Sequence, residues 1–128
     1  MELKVIHTDQ APKAIGPYSQ AVLSAPWLFV SGQIGILPET GELISSDFVS
    51  QTQQALENVR QILVEAGGDL NQVTAVDVFL TDIGNFLKFN EIYADYFSDH
   101  RPARAVVEVS ALPKGAVVEI KCIARISM

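Results

Sequence analysis

The sequence holds a single cysteine, Cys122, and only two histidines, His7 and His100, in 128 residues. One thiol excludes an intrachain disulfide and any multi-thiolate metal centre within the chain. The histidines stand far apart and fit no zinc-binding spacing, so neither a metal nor a cofactor is expected. No apolar run approaches the roughly 18 residues that a membrane span needs, and no membrane association is expected. The N-terminal stretch "MELKVIHTDQ" lacks the basic head and long apolar segment of a signal peptide. The chain is therefore read as cytoplasmic and complete from Met1. Positive charge is also scarce: 9 Lys and Arg against 15 Asp and Glu leave a net charge of −6. Nucleic-acid binding draws most of its affinity from phosphate neutralisation, so this composition argues against it. Repeats, low-complexity tracts and linker-like stretches are missing too, which leaves one domain over residues 1–128.

What is present suffices for one packed core, with 48% of residues hydrophobic. The clearest helix spans about 47–66. Its apolar positions Phe48, Thr52, Ala55, Leu56, Val59, Ile62, Leu63 and Ala66 form one stripe at the helical period, with Gln, Glu, Asn and Arg on the other side. Ser46 or Asp47 can cap its start, and Gly67-Gly68 stops it. A second helix, about 85–98, is expected to bury Phe86, Phe89, Ile92, Tyr93, Tyr96 and Phe97. The remaining segments read as strands: "LKVIHT", "AVLSA", "WLFVSGQ", "VTAVDVFLT", "RAVVEVS" and "AVVEIKCIARI". The order β-β-β-α-β-α-β-β is an α+β pattern with both helices on one sheet face.

Alternation along the last two strands divides their side chains. Ala105, Val107 and Val109 point one way, and Arg104, Val106 and Glu108 the other. Val118, Ile120, Cys122 and Ala124 share one side, and Val117, Glu119, Lys121 and Ile123 the opposite one. Placing the uniformly apolar sets under the helices leaves a mixed charged and aliphatic face uncovered, which implies self-association.

Some residues exceed what folding requires. In "RPARAVVEV" Arg104 opens an otherwise apolar run, and a guanidinium is rarely buried without a partner. Arg104 could grip a carboxylate through two parallel hydrogen bonds, or it could lie at a wet strand end. Glu119 either works on protons or makes a salt bridge at a subunit interface. In "AIGPYSQA" the Gly16-Pro17 turn presents Tyr18, for packing or for a ligand. Gly32 and Gly35 in "VSGQIGILPETG" suggest a bulge or a close approach to the backbone. Cys122 reads as core, His100 as a stabiliser of the second helix's C-terminal end, and Asn90 as a surface or interhelix hydrogen-bonding residue.

Taken together, "AIGPYSQA", "SGQI...P.TGEL", "VFLTDIGNF...N", "RPAR.VVEV..LPKG" and "VEI" resemble the reactive-intermediate deaminases, also called the Rid or YjgF/L-PSP family. The likeness runs through nearly the whole chain and is strongest to the RidA-type imine deaminases. It implies a fold like the bacterial α+β chorismate mutase, with a mixed sheet and two helices on one face. It also implies a homotrimer with sites in the clefts between subunits. Carried over residue by residue, Arg104 grips the substrate carboxylate and Glu119 positions or polarises water. Tyr18 and Gly32 contact the ligand, and Phe86 and Asn90 line or support the cleft. Two departures stand out. Val106 replaces a frequent cysteine whose contact is largely through backbone, and Lys121 replaces the second glutamate of "EIEA".

The implied activity is that of a 2-iminobutanoate/2-iminopropanoate deaminase, hydrolysing imines and enamines such as 2-aminoacrylate to 2-keto acids and ammonia without a cofactor. Two alternatives are a regulatory module that senses small 2-keto or imino acids and, with less support, an endoribonuclease.

Overall fold

The computed structural model describes residues 2–126, and within them one six-stranded sheet carries two α-helices on one of its faces. In chain order the elements are β1 (Lys4–Ile6), β2 (Ala21–Ser24), β3 (Trp27–Gln33), α1 (Phe48–Glu65), β4 (Val73–Leu80), α2 (Phe86–Tyr96), β5 (Ala103–Glu108) and β6 (Val118–Arg125). Across the sheet the strands run β1-β2-β3-β6-β4-β5, so β6 is central and β5 is an edge. Among the described residues only β4 and β5 pair in parallel, and α2 forms the crossover between them. The expected element order and mixed sheet are thus observed. Among the described residues no helix is long and apolar enough to cross a membrane.

The α1 helix forms where the stripe foretold it. Asp47 caps it, its carboxylate accepting from the Ser50 N–H at 2.9 Å. Beyond its last turn Gly67 takes a left-handed φ of 88°, and the Gly68 N–H donates to the Leu63 carbonyl. Ala55, Leu56, Val59, Ile62 and Leu63 bury against Val30, Val76, Ile120, Cys122 and Ala124. Each large aliphatic side chain so buried contributes about 1.5–3 kcal/mol.

The polar side of α1 is not uniformly wet, contrary to the sequence pattern. Gln51 and Asn58 are fully buried. Asn58 Nδ2 donates to the Ile34 and Ile36 carbonyls at 3.2 and 2.9 Å. Gln51 Nε2 donates to the Ser45 carbonyl, and its Oε1 accepts from the Val117 N–H. Buried amides are tolerated here because they satisfy main-chain groups that the sheet leaves unpaired. They fasten the segment after β3, and the approach to β6, onto α1. Gly35 lets the β3 extension lie directly against the Gln51 backbone.

β5 faces the other way from the expectation. Its Arg104, Val106 and Glu108 pair with Val76, Val78 and Leu80, the buried row of β4. They therefore sit on the helix side, whereas Ala105 and Val107 face away. β5 is an edge strand, so long polar side chains can leave the covered face sideways. Arg104 reaches over α2, and Glu108 accepts from the Ile83 N–H at 2.8 Å. β6 is oriented as expected, with Val118, Ile120, Cys122 and Ala124 buried.

The helix-free face is consequently more apolar than the sequence suggested. One cross-strand row joins Val5, Val22, Phe29, Ile123 and Ala75. Phe29 is 48% exposed and Val107 46%.

Candidate active site

Two groups of the expected residues assemble on opposite faces of the sheet. The first lies beside β3 and β6 on the helix-free side. Glu119 is opposite Phe79 on β4, in the row that faces away from the helices. Its carboxyl group rests against Gly32, where β3 breaks register with β6 between Val30 and Gln33. A methyl group at position 32 would collide with the Glu119 carboxylate, so the absent side chain leaves the space that this carboxylate fills. Burial pushes the Glu119 carboxyl above the ordinary glutamate range, and neighbouring Lys121 opposes that shift.

Tyr18 closes the same group. Gly16 adopts a φ of 123°, and the Tyr18 N–H turns back to donate to its carbonyl at 2.9 Å. The phenol oxygen accepts a long hydrogen bond from the Ile15 N–H, 3.4 Å. Buried Gln20 anchors this loop: its Oε1 accepts from the Thr8 N–H, and its Nε2 donates to the Thr8 and Pro12 carbonyls. Tyr18, Gly32 and Glu119 share a cavity of about 230 Å³ with Lys13, Ile36 and Lys114. Lys114 also donates to the Gly41 carbonyl at 2.9 Å, which ties the loop before β6 to the turn after β3. Lys13, Ile36 and Lys114 carry no sequence signal for this lining role, because the chain brings them here from separate loops.

The second group lies on the helix side, at the β5 edge. The Arg104 guanidinium carbon sits 5.7, 5.8 and 4.8 Å from the ring centres of Phe86, Phe89 and Tyr93. Among the described residues no carboxylate lies within ion-pair distance of it. Asn90 and Tyr93 line a cleft of about 400 Å³ with Arg101 and Arg104. Among the described residues the Asn90 Oδ1 and the Tyr93 hydroxyl are buried without a hydrogen-bond partner, so Asn90 is half-buried and its carbonyl oxygen makes no interhelix bond. Phe86, expected to be buried, is 37% exposed beside Arg104. Val106 sits half-buried one turn of the pleat further along β5 and packs on the core.

Two residues keep no place in either group. Cys122 is buried among aliphatic side chains, which pushes its thiol up to about 12. Thiol-blocking reagents should accordingly leave activity and fold intact; rapid inactivation through Cys122 in the native protein would contradict the strand facing. His100 does not stabilise the end of α2 as expected, because its Nε2–H donates to the Val73 carbonyl at 2.6 Å and pins the connection into β5 to the start of β4. Among the described residues no group of three or more His, Cys, Asp or Glu is arranged to hold a metal ion.

A family model described as Endoribonuclease L-PSP matches residues 8–126. The chain belongs to this L-PSP, or reactive-intermediate deaminase, family. The human 2-iminobutanoate/2-iminopropanoate deaminase is 48% identical over 121 residues, covering 94% of this chain and 88% of that protein. Among solved structures, RidA from an Antarctic Psychrobacter superposes with a TM-score of 0.93 at 47% identity, over 96% of this chain and 99% of that one. Escherichia coli TdcF with bound serine gives 0.92 at 42% identity, over 97% and 99%. The family includes proteins named as deaminases.

Proposed function

We propose that the protein is a cofactor-independent imine deaminase that converts small 2-imino acids to 2-keto acids and ammonia in clefts between subunits of a homotrimer. The observation that carries this reading is the half-buried Glu119 carboxyl, which fills the space that the missing side chain of Gly32 leaves against the β3 backbone. A group so placed can work on water and protons, and it needs a partner that orients the substrate. Arg104 is that partner in kind, with a planar fork that meets no carboxylate among the described residues. It lies on the opposite sheet face from Glu119, so a neighbouring copy has to bring it to the carboxyl. The exposed row around Phe29 supplies an apolar surface for such an assembly. The deaminase name of the human relative and the serine bound to TdcF support the choice of substrate class.

The chemistry balances without a further reactant. Arg104 holds the substrate carboxylate, and the protonated imine is attacked at C2 by water. Glu119 accepts a proton from that water while the C=N π electrons move onto nitrogen. Glu119 returns that proton to the nitrogen of the resulting carbinolamine, the hydroxyl oxygen's lone pair forms the C=O bond as the C–N bond breaks, and ammonia leaves with the electron pair. Loss of the hydroxyl proton completes the keto acid. Tyr18 covers the cleft and the Gly32 backbone lies beside the reacting atoms. Val106 offers the ligand its main chain, and Phe86 and Asn90 flank the carboxylate.

The reading is tested by generating 2-iminobutanoate or 2-aminoacrylate in situ from an amino acid and following keto acid and ammonia. Faster imine loss than in buffer is expected, unchanged after exhaustive chelation. A protein that binds 2-ketobutyrate yet leaves imine decay unaltered would instead be a sensor, and the enzymatic reading would fall.

A further inference from the structure

The aromatic face of α2 offers an explanation of how Arg104 is held. Phe86, Phe89, Tyr93 and Phe97 recur at helical spacing, so they line one side of the helix. The rings of Phe89 and Tyr93 lie 5.4 Å apart at 35°, and those of Tyr93 and Phe97 4.6 Å apart at 31°. Arg104 rests on this run, nearest to Tyr93 at 4.8 Å. Tyr93 is only 8% exposed, and among the described residues its buried hydroxyl has no hydrogen-bond partner. A buried hydroxyl left unpaired is a cost to the fold, so the value of the residue at this position resides in its ring.

We propose that Tyr93, backed by Phe89, is a positioning residue that fixes the plane of the Arg104 guanidinium for a carboxylate. The proposal rests on the deaminase reading. A guanidinium on a flexible side chain loses rotamer freedom when it binds a ligand, and a ring already beneath it removes part of that loss. The ring attracts the cation through its π face, an interaction that gains strength as the cleft excludes water. The hydroxyl takes no part in this. Burial pushes it up to about 12, so it stays protonated and neutral across the working range.

The contribution is read from Tyr93→Phe, Tyr93→Leu and Tyr93→Met, each assayed for imine hydrolysis and thermal unfolding. Tyr93→Phe keeps the ring and removes the unpaired hydroxyl, and should retain full activity with equal or higher stability. Leu and Met both fill space without a ring, and the flexible Met adapts where Leu leaves a gap. Each should raise KM about tenfold with kcat changed much less, as expected for loss of a cation–π contact. The same substitutions in an Arg104→Lys background should add little, because Tyr93 acts through the guanidinium. A purely structural Tyr93 would lower the melting temperature in Leu and Met alike and leave KM in place, which overturns the proposal. Equal loss in Phe and Leu would move the function to the hydroxyl and overturn it as well. If Arg104→Lys is itself fully active, the deaminase reading fails. If Arg104→Lys is impaired while Tyr93→Leu and Tyr93→Met are not, only the positioning role fails.

Discussion

Arg104→Lys should lower kcat/KM for imine hydrolysis by about a hundredfold while the protein remains folded and assembled. Lysine keeps the charge but presents a compact ammonium in place of a planar fork, so the paired hydrogen bonds to a carboxylate cannot both form. A lost charge-assisted contact of this kind is worth about 2–3 kcal/mol, which converts to that factor in rate. Stability should change little, because Arg104 is exposed and makes no ion pair among the described residues. Steady-state kinetics on the purified assembly, with thermal unfolding alongside, check both halves. An Arg104 that merely tied subunits together would give the reverse: altered assembly with nearly full activity per assembled molecule.

Glu119→Gln should spare ligand binding and remove most turnover, about 10²–10⁴-fold in kcat, the range that general acid–base groups supply. The amide keeps the shape that fits against Gly32 but cannot take a proton from water. The pH profile carries the same information. As a base, Glu119 works when ionised, so kcat/KM should fall as pH drops through its pKa. Burial raises that pKa above the ordinary value, which moves the acid limb toward neutral pH. Lys121 on the same strand opposes the shift, with Lys13, Lys114 and Tyr18 as the other titratable groups around the cavity. In Glu119→Gln the residual activity should lack this acid limb. An unchanged profile would show that another group titrates.

The sequence made the element order readable because α1 carries a clean apolar stripe and the strands are dense in β-branched residues. It could not settle which face of β5 meets the helices. Alternation sorts Arg104, Val106 and Glu108 from Ala105 and Val107 but does not say which set is covered. Hydrophobicity gave the wrong answer because an edge strand lets Arg104 and Glu108 escape sideways from a covered face. Gln51 and Asn58 were equally opaque, since their main-chain partners Val117, Ile34 and Ile36 lie far along the chain. Arg104, Glu119, Tyr18 and Gly32 were singled out by residue type and by motif. Their division between two sheet faces follows only from register. Tyr93 read as ordinary core because a pattern of apolar positions does not reveal the guanidinium lying above one of them.

That division is the centre of the account, and mixed assemblies test it most directly. Arg104→Lys and Glu119→Gln, each nearly inactive alone, are unfolded together, refolded and assayed for imine hydrolysis. If Arg104 of one subunit serves Glu119 of its neighbour in a cyclic trimer, random mixing of equal amounts restores about a quarter of the clefts to the native pair. The expected result is therefore recovery to roughly a quarter of native activity after mixing, with none when either variant is refolded by itself. A mixture as inactive as its parents would contradict the account, because it would mean that both residues must come from the same chain.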